Sequence, residues 1–142
     1  MPIPEKTAYE QLVYNLTDAH PEITRSTLAL YTVSAYTAIV EGSLFFATGL
    51  ELRILEALDF RRARIQRYSY TVFRGTDKVR WYDPEPHPEN PALASTFPHH
   101  LHDLPDLKNN RRPSPGIAFD APNFATLIAD CIALGESLGA SQ

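Results

Sequence analysis

The sequence predicts a single α+β domain: a mostly antiparallel sheet of about five strands, with one helix before it and one after. Three observations lead there. Apolar residues at helical spacing mark the two ends of the chain, around 9–16 and 127–134. Between them run five β-type segments, two pairs of which are joined by tight glycine turns. Finally, 142 residues, 44% hydrophobic and 21% charged, suffice for one core that needs no disulfide staples.

Taken in order, Glu5 to about Ala19 reads as a helix with Tyr9, Leu12, Val13 and Leu16 on one stripe. Pro21 stops it. Strands follow at Thr27–Val33, Thr37–Phe46 and Leu50–Leu58. Thr48-Gly49 is the turn between the last two, because a turn at Gly42 would cut the first of them into short pieces. Gly42 is then a strand glycine, at a bulge or a close approach of backbone. Alternation along Leu50-Glu51-Leu52-Arg53-Ile54 carries Glu56 onto the apolar face. Either a bulge at Leu55 turns Glu56 outward, or it stays inside with a partner, since a lone buried carboxylate is expensive.

Ile65–Arg74 and Asp77–Asp83 form the next hairpin around Gly75-Thr76, a two-residue loop with glycine leading. A regular register pairs Val72 with Val79, Tyr70 with Trp81 and Tyr68 with Asp83 on the core face. The outer face then shows Arg67, Ser69, Thr71, Phe73, Lys78, Arg80 and Tyr82, basic and aromatic residues interleaved as a phosphate-contacting surface requires. From Pro84 to Pro115 the chain holds eight of its 12 prolines, at 84, 86, 88, 91, 98, 105, 113 and 115. Missing amide donors and fixed φ predict an irregular loop there. The last helix starts near Pro122 with Asp120 as its N-cap, and buries Leu127, Ile128, Cys131 and Leu134.

Composition narrows the function. The one cysteine, Cys131, lies on an apolar helix stripe, which reads as a buried thiol and not a nucleophile. The N-terminus lacks the charged and apolar regions of a signal peptide, and no apolar run approaches a membrane span, so a cytoplasmic protein is expected. The net charge of −4 argues against a generally basic nucleic-acid binder. Yet Arg61, Arg62, Arg64, Arg67, Arg74, Lys78 and Arg80, seven of 13 basic residues, crowd one stretch beside the single acid Asp77. Such clustering can set up a local positive field on an acidic protein. It can equally be a solvated hairpin face.

Four of the five histidines, His87, His99, His100 and His102, fall close together. Grouped imidazoles can serve as acid and base near neutral pH, or ligate zinc. No cysteine is near and the spacing matches no standard structural zinc site, so neither metal nor cofactor is expected. Phosphate-binding glycine loops, nucleophile elbows and dinucleotide fingerprints are absent.

The segments Tyr68-Ser69-Tyr70, Trp81-Tyr82-Asp83-Pro84-Glu85-Pro86-His87 and Thr96-Phe97-Pro98-His99-His100-Leu101-His102 resemble the TumE-like family. These are small bacterial and archaeal proteins regarded as toxins of type II toxin–antitoxin systems. The likeness extends from about Thr37 to the end of the chain. It makes residues 1–142 a single TumE-like domain with a Pro/His-rich loop at 84–115. This chain departs from the family pattern at Trp81, where arginine is usual, at Pro84, where asparagine is usual, and at Pro88, where a second histidine is usual. The insertion at Glu89–Ser95 is also long.

The resemblance implies a toxin whose partner is a cognate antitoxin, a small helix-turn-helix protein. Joined to the residues, it leads to an expectation of action on RNA. His87, His99, His100 and His102 would be catalytic, while Arg67, Lys78, Arg80, Tyr82 and Asp83 would hold the substrate. Metal-free RNA cleavage needs a base for the 2′-hydroxyl and an acid for the leaving oxygen, and two histidines supply both. The competing expectation is a non-enzymatic binding protein whose basic hairpin docks an acidic partner.

Overall fold

Three strands keep a two-residue alternation long enough to form the middle of a sheet: β3 (Thr37–Phe46), β4 (Leu50–Asp59) and β5 (Arg64–Arg74). Leu50, Leu52, Ile54, Glu56 and Leu58 of β4 line up with Leu44, Val40 and Ala38 of β3 and with Val72, Tyr70, Tyr68 and Ile65 of β5 on one buried face. The computed structural model describes residues 2–140, so residues 1, 141 and 142 of the expected 1–142 domain lie outside it. Its described residues form one antiparallel sheet in the order β1 (Ile23–Ser26), β3, β4, β5, β6 (Asp77–Asp83), β7 (His100–Asp103), β8 (Arg111–Pro113), with β2 (Ala29–Thr32) also on β3. The α+β architecture with terminal helices is as expected, but the sheet has eight strands where five were expected.

Two of the extra strands come from the Pro-rich segment. β7 (His100–Asp103) pairs with β6 (Asp77–Asp83), and β8 (Arg111–Pro113) pairs with β7. Proline removes a donor only where it sits. Pro98 and Pro105 fall outside β7, and Pro113 ends an edge strand, so the backbone between them remains free to pair. A 3-10 helix, Pro91–Thr96, occupies the insertion, with the Asn90 side chain accepting from the Ala92 amide.

The third extra strand precedes the expected ones. The expected strand Thr27–Val33 is β2 (Ala29–Thr32), and β1 (Ile23–Ser26), which was not expected, comes before it; both share one edge of β3. They break where they pass Gly42, at which a Cβ would stand 2.5 Å from the Thr27 carbonyl oxygen and 2.7 Å from Leu28 Cα. Gly42 is the glycine of close approach that the sequence suggested, with φ +143°.

Both ends of the chain cover the same sheet face. The N-terminal helix divides at Asn15 into α1 (Lys6–Tyr14) and α2 (Leu16–Ala19). The C-terminal helix α3 (Phe124–Ala140) starts later than expected, too far from Asp120 for that residue to cap it. Asn123 precedes it, bonded to the backbone of Ala118 and to the Tyr70 hydroxyl. Tyr9 and Phe124 meet across the core with ring centroids 5.7 Å apart. Glu56 is fully buried, the inward alternative. It accepts from Tyr9 Oη at 2.6 Å and from Tyr70 Oη. Burial pushes its carboxyl above the usual glutamate range, and the two tyrosine hydroxyls only partly offset that. Burial likewise pushes the Cys131 thiol up to about 12, so this cysteine packs and does not attack. No described helix is long and apolar enough to cross a membrane.

Candidate functional site

The turn at Gly75-Thr76 holds, with Arg74 facing Asp77, but the hairpin above it is one residue out of the expected register. The shift falls between Val72 and Phe73, where Val79 is the extra residue, so that Val72 faces Arg80, Thr71 faces Trp81 and Tyr70 faces Tyr82. Val79 and Arg80 are consequently both buried, which breaks the alternation. The bulge exchanges the two faces of β6 above it. Arg80 and Tyr82, expected on the exposed basic face, turn towards the helices, whereas Trp81 and Asp83 turn outward.

Arg80 is 8% exposed and forms a two-pronged pair with Asp103, Nε to Oδ1 and Nη2 to Oδ2, both at 3.0 Å. Burial alone would favour losing the Arg80 proton; the Asp103 bonds overcome this and hold the guanidinium charged. Tyr82 donates to Asp130 Oδ2 of α3 at 2.7 Å. Arg80 thus ties β6 to Asp103 and Tyr82 ties β6 to α3, both away from the outer face.

The pairing of β7 with β6 then divides the histidines. Trp81 faces His102 and Asp83 faces His100 on the outer side of the sheet. His99 falls on the helix side, where its Nδ1 is 2.7 Å from Tyr68 Oη and its ring packs on Phe119 at 4.6 Å. Burial lowers the proton affinity of His99. It lines a separate cleft of about 500 Å³ together with Arg64, Phe97 and Asp120.

On the outer side the geometry is tight. His100 Nε2 and His102 Nε2 are 3.2 Å apart, and Asp83 Oδ2 lies 3.9 Å from the first and 3.7 Å from the second. The opposite ring nitrogens face backbone carbonyls: His102 Nδ1 to Leu107 O at 2.7 Å and His100 Nδ1 to Pro98 O at 3.3 Å. Asp83 Oδ1 accepts from the Glu85 amide at 2.6 Å. The His102 ring stacks on Trp81 with centroids 4.0 Å apart, and Lys78 Nζ lies 4.9 Å from the Trp81 ring centre. Burial lowers the proton affinity of His102, opposed by its bond to the Leu107 carbonyl.

His87 arrives from the loop after β6 and sets its ring edge-on to His100 with centroids 5.0 Å apart. Its side chain is 18% exposed against 1% for His100 and 5% for His102, and its Nδ1 is 3.4 Å from Glu89 Oε1. The expected convergence of His87 with the 97–102 segment is thus realised at His100, whose ring in turn lies 5.0 Å from that of His102. Asp83, His100 and His102 are the described residues grouped closely enough to hold a metal ion, their ligand atoms all within 4.8 Å of one another.

One neighbour escapes a sequence reading altogether. Arg111 of β8 faces His102, and its Nε is buried with no hydrogen-bond partner among the described residues. Locating it requires knowing that β8 exists. With Arg67, Lys78, Phe73 and Trp81, it completes an outer face on which basic and aromatic residues still interleave, though with Trp81 and Arg111 in place of Tyr82 and Arg80.

A family model described as Toxin TumE matches residues 13–134, reaching further towards the N-terminus than the motif resemblance does. No curated protein and no solved structure matches the chain.

Proposed function

The chain belongs to the TumE toxin family, and from that premise we propose that it inhibits growth by cleaving RNA at the outer-face histidine site. The toxin role in a toxin–antitoxin system, and with it an antitoxin partner, comes from the family. The RNA target and the chemistry are our reading. The observation that carries it is the convergence of His87, His100, His102 and Asp83 on the same sheet face as Arg67, Lys78 and Arg111.

RNA is the polymer that such a face suits. Cations hold the phosphates, and the half-buried Trp81 ring lies among them. For cleavage, the 2′-oxygen bonds to phosphorus as its proton leaves, and the bond to the 5′-oxygen breaks as that oxygen gains a proton. His87 is the imidazole open enough to exchange protons with substrate and solvent, and so the candidate base. The His100–His102 pair with Asp83 is the second polar centre and supplies the proton to the leaving oxygen. Arg111, the cation paired across from His102, is our candidate to oppose charge developing on the phosphoryl oxygens. His99, on the other side of the sheet, has no part in this arrangement. Its substrate would be cytoplasmic, as would its antitoxin, for which a small helix-turn-helix protein remains our expectation.

Incubating purified chain with total RNA tests this. Ends carrying a cyclic phosphate are expected, and their loss is expected in His87→Ala. Intact RNA at every protein concentration that inhibits growth would refute it.

A further inference from the structure

We propose that Asp83, His100 and His102 form a three-ligand site for a divalent transition metal, of which zinc fits best. A carbonyl oxygen can only accept, so each Nδ1 that bonds one must carry the proton. In neutral rings both Nε2 atoms are then lone pairs. They face each other at 3.2 Å in a buried site, which is repulsive unless something positive, a shared proton or a metal cation, sits between them.

The spacing suits a metal ion. Two metal–nitrogen bonds of about 2.0–2.1 Å at a tetrahedral angle place the nitrogens about 3.3 Å apart. Asp83 Oδ2 stands somewhat further off, at 3.7 and 3.9 Å, and closes on a shared ion by a small carboxylate rotation. The surroundings match what ligating residues need. Each imidazole is oriented through its far nitrogen by a backbone carbonyl, Asp83 by the Glu85 amide, and His102 by stacking on Trp81. Two imidazoles and one carboxylate favour zinc over magnesium or calcium, which prefer oxygen throughout. Three protein ligands also leave a position for water, as catalytic zinc sites do.

A role for this ion in RNA cleavage rests on the reading given above; its binding does not. Were the ion bound, Asp83, His100 and His102 would hold it, it would supply an acidic bound water in place of the pair's shared proton, and His87 would remain the base.

The experiment uses the full chain, stripped by chelator and titrated with Zn(II) by calorimetry and with Co(II) by visible absorption. One ion per chain and the intense visible bands of four-coordinate cobalt are expected. Asp83→Asn and His102→Ala should each weaken binding at least about 100-fold, beyond what loss of an outer orienting group costs. Asp83 is partly exposed, so Asp83→Asn remains informative even if His102→Ala fails to fold. His20→Ala should bind as the parent does. No saturable one-to-one binding, or equal affinity in Asp83→Asn and the parent, would overturn the proposal. Metal binding without RNA cleavage would sink the functional reading and spare the site. Cleavage by fully stripped protein would leave RNA cleavage standing while removing the ion from it.

Discussion

Arg80 and Asp103 clasp β6 to β7 through two hydrogen bonds of 3.0 Å, at the point where a bulge turns Arg80 inward. Arg112 adds a third and fourth bond to the same carboxylate. The clasp lies directly behind the strand that carries His100 and His102, so it positions the site without touching what the site would bind.

Arg80→Ala should therefore act through stability. Breaking a buried pair costs about 3–5 kcal/mol, and about 2–3 kcal/mol is expected here because Asp103 keeps Arg112. Urea denaturation measures this. A variant of unchanged stability whose toxicity fell only at raised salt would instead make Arg80 a phosphate ligand.

Glu56 predicts a pH effect with a definite sign. Its folded pKa is raised, so the folded state holds this proton more tightly than the unfolded state does. Its contribution is fully present below the ordinary glutamate range, falls as pH rises through the folded pKa, and is then constant. The stability difference between Glu56→Gln and the parent should shift in the variant's favour as pH rises above the ordinary glutamate range. A pH-independent difference would show that Glu56 is not perturbed.

His99→Ala should separate the two faces of the sheet. It removes the bond to Tyr68 and packing on Phe119, which costs about 1–3 kcal/mol. Growth inhibition by the protein that remains folded should persist. Complete loss of inhibition at full stability would bring His99 back into the reaction.

Much of this fold is legible in the sequence because β3, β4 and β5 bury one face over most of their length, so alternation sets their pairing except at the irregularity beside Gln66. Glu56 and Gly42 stand out for the same reason, as exceptions to a regular pattern. Two things are not legible. The Val79 bulge leaves no local mark, since Val79 and Arg80 read equally well in either register, and it alone decides which of Arg80 and Trp81 faces out. The short strands β7 and β8 are hidden by prolines that lie beside them. The alternation His100-Leu101-His102, with Leu101 buried, is the one sign of β7. Missing β7 conceals Arg111, the opposition of Asp83 to the two imidazoles, and the separation of His99 from His100.

The last prediction concerns growth inhibition, and it separates chemistry from architecture. His87→Ala should abolish inhibition upon induced expression while leaving a normally folded chain. His87 lies edge-on to the His100 ring with its side chain 18% exposed, against 1% for His100, so its removal costs less stability than removal of His100. A proton-transfer group, by contrast, contributes about 10²–10⁴-fold to rate. His100→Ala should abolish inhibition too, but this side chain is 1% exposed, so the variant should also unfold more readily. The contrast between these two outcomes is the informative result. Arg111→Ala should weaken action on RNA in proportion to one lost phosphate contact and flatten its salt dependence, whereas His20→Ala should behave as the parent. Circular dichroism of each purified variant, read beside growth after induction, checks all four. Full inhibition by both His87→Ala and His100→Ala would remove the catalytic reading. Loss of inhibition in His87→Ala only together with loss of fold would make the histidines structural.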